Sequence, residues 1–267
     1  MSYRDVVAIM MSGEEAQTLR AAGLIADKSE GHVTALHVFA MPETIVGFGP
    51  EAMALWPQVL EQTRINAAAV RAKIEAQLKS TPGTHELSIL ETPASLLGGA
   101  VARKALKAQI SVMQTPSSEL SVAAFEGLLF KSGRPVLLVP PGWTQLTLGR
   151  TPMIAWRPTR EAARAVADAA PLLADAEKIT VLSVGGEEQE EPEILSSLAR
   201  GGRTVEAVRV AADARAVETV ILAEAKARKA DLLIMGGYGH ARLTEFVLGG
   251  VTQTLSRASD IPILMSH

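Results

Sequence analysis

The sequence predicts an α/β protein with two domains, in each of which a five-stranded, mostly parallel sheet carries helices on both faces. Short apolar runs alternate with longer segments of helical periodicity along the 267 residues. Pro140, Pro141 and Gly142 interrupt this alternation near the middle of the chain, and the same order then starts again. The length is about twice that of a usual domain, and we place the domains at residues 1–141 and 151–267.

The first half contains five short apolar runs, which predict strands over residues 6–10, 33–39, 87–90, 110–113 and 135–139. Four segments between them have apolar residues at helical spacing and predict helices over residues 14–28, 59–78, 94–107 and 121–131. The insertion of residues 41–56 is rich in Met, Pro and Gly. We interpret it as a loop over the sheet edge, with a lid or a partner surface as the alternative.

The second half shows the same alternation. Its apolar runs predict strands over residues 153–156, 179–184, 205–210, 232–235 and 261–265. Its helical periods cover residues 160–174, 192–199, 216–229 and 252–258.

An internal repeat relates the two halves. Residues 33–38 match residues 179–184, and Glu15-Ala16 match Glu161-Ala162, both at an offset of 146 residues. A duplication explains this better than chance. Because edge strands have unpaired backbone groups, we expect the last strands, 136–139 and 261–265, to pair within one chain and to join the halves.

Composition excludes several classes of function. A formal net charge of -3 argues against a mainly electrostatic nucleic-acid binder, and the absence of cysteine excludes disulfides and thiolate chemistry. No apolar run reaches the roughly 20 residues that span a bilayer, and the N-terminus lacks a secretory signal, so we expect a cytoplasmic protein. The five histidines lack metal-ligand spacing, and no GxSxG, HExxH or Walker A motif is present, so neither a metal nor a catalytic residue is predicted.

Three glycines form the most informative motif. Gly236 is followed by two residues and Gly239, and then by nine residues and Gly249. The motif lies between a predicted strand and a predicted helix, and open parallel sheets bind ligands beyond the carboxyl ends of their strands. Glycines let a backbone approach a phosphate closely, and a helix N-terminus offers free N–H groups. This pattern indicates a site for an anionic ligand in the second half.

Two further segments accompany these glycines: the predicted strand Asp231-Leu232-Leu233-Ile234-Met235 before them and the closing Asp260-Ile261-Pro262-Ile263-Leu264. With all three features, the sequence resembles tandem-domain members of the universal stress protein family. The resemblance covers essentially the whole chain. It implies Rossmann-like (adenine nucleotide alpha hydrolase-like) domains and a non-catalytic stress-response or regulatory role. It also implies ATP or AMP as the ligand of the second half. The contacts that it implies are Ala155, Trp156, Arg157, Val184, Met235, Gly236, Gly239, His240, Gly249, Gly250, Val251 and Thr252.

The sequence departs from the family's pattern at several positions. Gly250 stands where nucleotide binders have Ser or Thr, and Arg157-Pro158-Thr159 replaces Asp-Gly-Ser after the first strand. Arg157 can pair with a phosphate instead, and Thr159 is a suitable N-cap. In the first half no glycine follows Met113, and Met11 occupies the acidic position. We therefore interpret the first half as structural or as a site for a different ligand.

Two other classes of function remain open at this point. The glycines are also consistent with turns kept from a nucleotide-binding ancestor, in a scaffold or binding module that recognises a protein or another small ligand. A nucleotide hydrolase or adenylyl-transfer enzyme is a third class. Trp156 fits core packing as well as stacking on adenine, and association into a homodimer is left open.

Overall fold

The computed structural model describes residues 2–43, 50–81, 83–185, 192–200, 202–211, 216–237, 254–255 and 258–267. The chain divides into two compact units. The N-terminal unit is Arg4–Arg134, and the C-terminal unit is Met1–Tyr3 together with Pro135–His267. Strands and helices alternate in both units, which confirms the predicted α/β class. No helix in the described ranges is long and apolar enough to cross a bilayer.

The N-terminal unit has a parallel sheet in the order β3-β2-β1-β4. Its strands are β1 (Asp5–Met10), β2 (His32–Met41), β3 (Thr84–Pro93) and β4 (Ile110–Gln114). Its helices are α1 (Ala16–Asp27), α2 (Pro50–Leu78), α3 (Leu97–Ala105, after a 3-10 turn at Ala94–Leu96) and α4 (Glu119–Lys131). Nearly all of β1 and β4 is buried, as expected for a parallel sheet that is covered on both faces.

The elements of this unit that most exceed their predicted lengths are α2 and β3. α2 begins at Pro50, so the predicted loop of residues 41–56 is wrong for its last seven residues, and residues 44–49 lie outside the described ranges. Apolar side chains such as Leu55 are exposed there, so no apolar stripe marked the helix. β3 extends over Thr84–Pro93 because it pairs with β2 along its whole length, although six of its ten residues are polar.

The C-terminal unit has strands in the order β5-β10-β9-β6-β7-β8. These are β5 (Val136–Val139), β6 (Pro152–Ala155), β7 (Ile179–Val184), β8 (Val205–Val210), β9 (Leu232–Gly236) and β10 (Ile263–Ser266). Its described helices are α5 (Arg160–Ala169), α6 (Pro192–Ala199) and α7 (Val217–Ala227). The helix predicted over residues 252–258 lies largely outside the described ranges.

β5 and β10 pair antiparallel, with Val136 opposite Met265 and Leu138 opposite Ile263. The predicted pairing of these strands is confirmed. β5 comes from the first half of the sequence and belongs to the C-terminal unit, so this unit contains six of the described strands and the N-terminal unit contains four. The reason is that β10 would otherwise expose an edge of unpaired N–H and C=O groups, which β5 satisfies.

Helices α3 and α4 of the N-terminal unit meet backbone to backbone. A Cβ atom at Gly98 would lie 2.6 Å from the carbonyl oxygen of Ala123, and one at Gly127 would lie 2.5 Å from the carbonyl carbon of Gly98. Only residues without a side chain allow this approach, so the two glycines set the distance between the helices.

We expect Gly127→Ala to lower the free energy of unfolding by about 1 to 3 kcal/mol, because the added methyl group forces α3 and α4 apart. Urea denaturation measures the change. Gly99→Ala is the matched control in α3, where the nearest atom to a new Cβ is a terminal nitrogen of Arg103 at 3.6 Å. It should be neutral or stabilising by up to about 1 kcal/mol, through helix propensity. Equal losses in both variants would contradict the packing argument.

His37 of β2 is a buried polar residue in the same unit. Its side chain is 1% exposed, and neither ring nitrogen has a hydrogen-bond partner among the described residues. Burial lowers the pKa of His37 below its ordinary value, Glu15 of α1 opposes this shift, and Arg71 of α2 adds to it. The imidazole is therefore neutral at pH 7 in the folded protein.

We expect the stability of the protein to fall as the pH drops below about 6.5. The unfolded chain protonates His37 at its ordinary pKa, whereas the folded chain resists protonation until a lower pH, so acid favours unfolding. His37→Leu removes this contribution. The measurement is urea denaturation at several pH values between 5 and 8, and the difference in stability between the variant and the wild type should change with pH. Parallel pH profiles would be inconsistent with this role of His37.

Candidate functional site

The strand order of the C-terminal unit reverses beside β6. β7 and β8 follow on one side of this strand, and β9 and β10 lie on the other. Open α/β sheets bind ligands in the crevice beyond the carboxyl ends of the strands at such a switch point. Met235 near the end of β9 pairs in register with Ala155, which ends β6. The glycine motif therefore begins, at Gly236, at the switch point itself.

Three of the predicted contact residues share one face of the sheet at this edge. Ala155 is in register with Met235 on one side and with Leu182 on the other. Val184 lies two residues beyond Leu182, so its side chain has the same direction. Met235 is buried, whereas Ala155 and Val184 are partly exposed. The structure thus brings Ala155, Val184 and Met235 together as a small apolar surface at the strand ends.

Gly236 lies against the start of α5. A Cβ atom at this position would be 2.6 Å from the backbone nitrogen of Ala162 and 2.7 Å from the carbonyl carbon of Glu161. The next residue, Gly237, donates its backbone N–H to the carbonyl oxygen of Ser266 at 2.8 Å. Close packing of a helix on a strand therefore requires glycine at 236, whether or not a ligand is bound.

The segment between β6 and α5 contains the remaining described candidates. Trp156 is half-buried and donates its backbone N–H to the carbonyl oxygen of Leu182 at 2.8 Å. Arg157 is exposed at the N-terminal end of α5. Thr159 Oγ1 accepts the backbone N–H of Ala162 at 3.2 Å, which confirms its predicted role as the N-cap. These residues lie next to the switch point, with the charge of Arg157 on the solvent side.

Glu161 and His267 add ionisable groups to this edge. Glu161 accepts hydrogen bonds from its own backbone N–H and from Arg160, whose Nε lies 3.1 Å away, and both lower its pKa. Partial burial lowers the pKa of His267, although the neighbouring Glu161 opposes the shift. At pH 7 the edge therefore carries a carboxylate bound to a guanidinium, beside a neutral imidazole.

Sequence reasoning did not identify Glu161, Ser183 or Ser266 as parts of this edge. Both serines are buried, and their hydroxyl oxygens have no hydrogen-bond partner within the described part of the chain. Ser266 lies in register with Gly236. The match of Glu161 to Glu15 in the internal repeat was the available signal, whereas a serine at the end of a strand has no distinctive pattern.

The other six predicted contacts lie outside the described residues; they are Gly239, His240, Gly249, Gly250, Val251 and Thr252. Where the chain is described, no three His, Asp or Glu side chains come close enough to hold a metal ion.

We expect Gly236→Ala to lower the free energy of unfolding by about 1 to 3 kcal/mol, because the new methyl group overlaps the first turn of α5. Thermal or urea denaturation of the full chain measures this loss. A variant as stable as the wild type would show that the contact between β9 and α5 is looser than the structure indicates.

Comparison with known proteins relates this geometry to a family. Residues 158–267 match the sequence model of the universal stress protein family. No curated protein sequence is similar enough to count as a match.

Solved structures extend the similarity to the whole fold. A universal stress protein from Archaeoglobus fulgidus DSM 4304 has a TM-score of 0.71 at 14% identity, over 98% of this chain and 95% of that chain. A functionally unknown protein from Pseudomonas aeruginosa PAO1 has a TM-score of 0.61 at 15% identity, over 99% of this chain and 92% of that chain. A universal stress protein in complex with cAMP aligns at a TM-score of only 0.31 and 17% identity, over 53% of this chain and 100% of that chain. Residues 158–267 are therefore a universal stress protein domain, in a chain whose fold is that of the structures it matches along almost its entire length.

Proposed function

We propose that the chain is a non-catalytic stress-response or regulatory protein whose C-terminal unit binds an adenine nucleotide, ATP or AMP. One observation carries the proposal: the glycine motif begins where the strand order reverses, between the ends of β6 and β9. This is where open α/β sheets accept nucleotides, because the ends of the strands and the following helix N-termini face a common crevice.

The two ends of a nucleotide would meet different surfaces. The apolar surface of Ala155, Val184 and Met235 would contact the base, with Trp156 beside it. The backbone N–H groups of the glycine segment, from Gly236 to Thr252, would hold the phosphates. That segment contains the proposed contacts Gly239, His240, Gly249, Gly250 and Val251. The exposed guanidinium of Arg157 would pair with a phosphate oxygen.

The state of Glu161 supports a binding role instead of hydrolysis. A general base must be free to take a proton from water. The Glu161 carboxylate is instead held by Arg160 and by its own backbone N–H, and its pKa is lowered. Occupancy by the ligand would then act by changing the conformations available to residues 237–248 and so a surface that faces a partner.

A second function, a scaffold that no longer binds nucleotide, has one observation in its favour. The packing of Gly236 against α5 requires glycine with or without a ligand. A domain that has lost its ligand would therefore keep this glycine, and Gly250 in place of a hydroxyl residue agrees with such a loss.

Equilibrium dialysis with labelled ATP and AMP tests the proposal. The wild type should bind one of them saturably, and Gly239→Asp should bind at least about tenfold more weakly, because its carboxylate repels the phosphates. Ser117→Asp is the matched control. Ser117 lies three residues after the end of β4 at Gln114, and Gly239 lies three residues after the end of β9 at Gly236. The control therefore adds the same charge at the corresponding position of the other unit.

Three outcomes would contradict the proposal. The wild type does not bind saturably, or Ser117→Asp weakens binding as much as Gly239→Asp, or a steady-state assay shows turnover of ATP that a metal chelator abolishes. Native mass spectrometry of freshly purified protein gives an independent check, because a retained nucleotide adds its mass to that of the chain.

A further inference from the structure

The N-terminal unit has its own switch point, where the strand order reverses beside β1. The first backbone N–H groups after this strand belong to Met11 and Ser12. Both donate to Oε1 of Glu15, at 2.8 and 2.7 Å. Glu15 is only 4% exposed, which is unusual for an ionisable side chain. The backbone donors at this corner are therefore occupied by a carboxylate of the chain itself.

Two further hydrogen bonds close the same corner. The side-chain amide of Gln17 on α1 donates to the side-chain oxygen of Gln114, which ends β4. From the other direction, Nε2 of Gln77 on α2 donates to the carbonyl oxygen of Gly13 at 2.7 Å. Side chains thus connect α1 to the end of β4 and α2 to the loop after β1.

The C-terminal unit cannot form both of the equivalent hydrogen bonds. At the repeat offset of 146 residues, Ser12 corresponds to Pro158, which has no backbone N–H to donate. Glu15 corresponds to Glu161, which is bonded to Arg160 instead of to the loop. The two units therefore use an equivalent glutamate in different ways.

The bridge between α1 and β4 also has no equivalent there. Gln17 corresponds to Ala163, and the strand end occupied by Gln114 is occupied by Gly236 in the C-terminal unit. An alanine and a glycine have no side-chain amide, so the crevice of the C-terminal unit is not closed in this way.

Unpartnered polar atoms indicate that the corner of the N-terminal unit is more than a helix cap. The second carboxylate oxygen of Glu15 and both ring nitrogens of His37 are buried without a hydrogen-bond partner in the described ranges. Glu15 is close enough to His37 to oppose the lowering of its pKa, so the two groups are near one another. Buried polar groups are normally satisfied, and a site that holds several unsatisfied ones is suited to a polar ligand.

We propose that this corner is a small-oxyanion site that Glu15 fills. The N-terminal unit is thereby closed to the phosphate of a nucleotide and accepts a small carboxylate or phosphate only when the Glu15 side chain is removed. The proposal concerns the N-terminal unit alone and does not depend on whether the C-terminal unit binds a nucleotide.

Glu15→Ser in the full-length chain tests the proposal with formate as the probe. Serine is a favourable N-cap for α1, so the variant keeps the start of the helix while it removes the carboxylate. Amide NMR should show saturable shifts of the Met11 and Ser12 signals with sodium formate and none with sodium chloride at equal ionic strength. The wild type should not respond to formate.

Two matched variants separate the site from a general charge effect. Glu14→Ser removes an exposed carboxylate one residue earlier, which pairs with Lys73 at 3.2 Å, and should not respond to formate. Glu15→Gln keeps an acceptor oxygen for the two N–H groups and should also stay closed. A formate response of either variant equal to that of Glu15→Ser would overturn the proposal.

The folded Glu15→Ser variant with unshifted Met11 and Ser12 signals would also overturn it. If Glu15→Ser does not fold in chloride, the test becomes the folded fraction after refolding. A higher folded fraction in formate than in chloride supports the site, and equal fractions in the two salts refute it. The formate experiment follows amides of the N-terminal unit, whereas the dialysis experiment measures nucleotide binding by the C-terminal unit. Failure of one proposal can therefore be distinguished from failure of the other.

Discussion

In each unit one strand, β1 or β6, has neighbours on both sides that follow it in opposite directions along the sheet, and such a reversal is where open α/β sheets bind ligands. The ends of two adjacent parallel strands, β6 and β9 or β1 and β4, meet at the reversal. The chain must leave each strand toward a helix, so backbone N–H groups collect at that point. These groups need acceptors, which are supplied by a ligand, by water or by the chain itself.

The two units satisfy this requirement differently, although their sequences are related by a repeat. In the N-terminal unit the Glu15 carboxylate accepts the N–H groups that follow β1. In the C-terminal unit Pro158 removes one of these donors, and Glu161 bonds to Arg160. Among the described residues, the corresponding glutamates therefore accept loop N–H groups in one unit and a guanidinium N–H in the other.

Gly236 shows that a glycine in a sequence motif can have more than one cause. Its contact with the backbone of Ala162 leaves no room for a side chain. The first glycine of the motif therefore meets a packing requirement in addition to the phosphate contact that we propose for the motif. The same kind of contact, between Gly98 and Gly127, sets the approach of two helices in the N-terminal unit without any relation to a ligand. Structure is needed to tell which requirement a glycine meets.

The sequence alone determined the α/β class, the repeat, the positions of most strands and the N-cap at Thr159. These features depend on local apolar periodicity and on side chains that bond to their own neighbours, so a short stretch of sequence contains the information. The assignment of β5 to the C-terminal unit, the full length of β3 and the closure of the first corner by Glu15 were decided by tertiary structure. Each depends on which backbone groups lie opposite one another after folding. A linear pattern does not contain that information, because the partners come from distant parts of the chain or from the geometry of a turn.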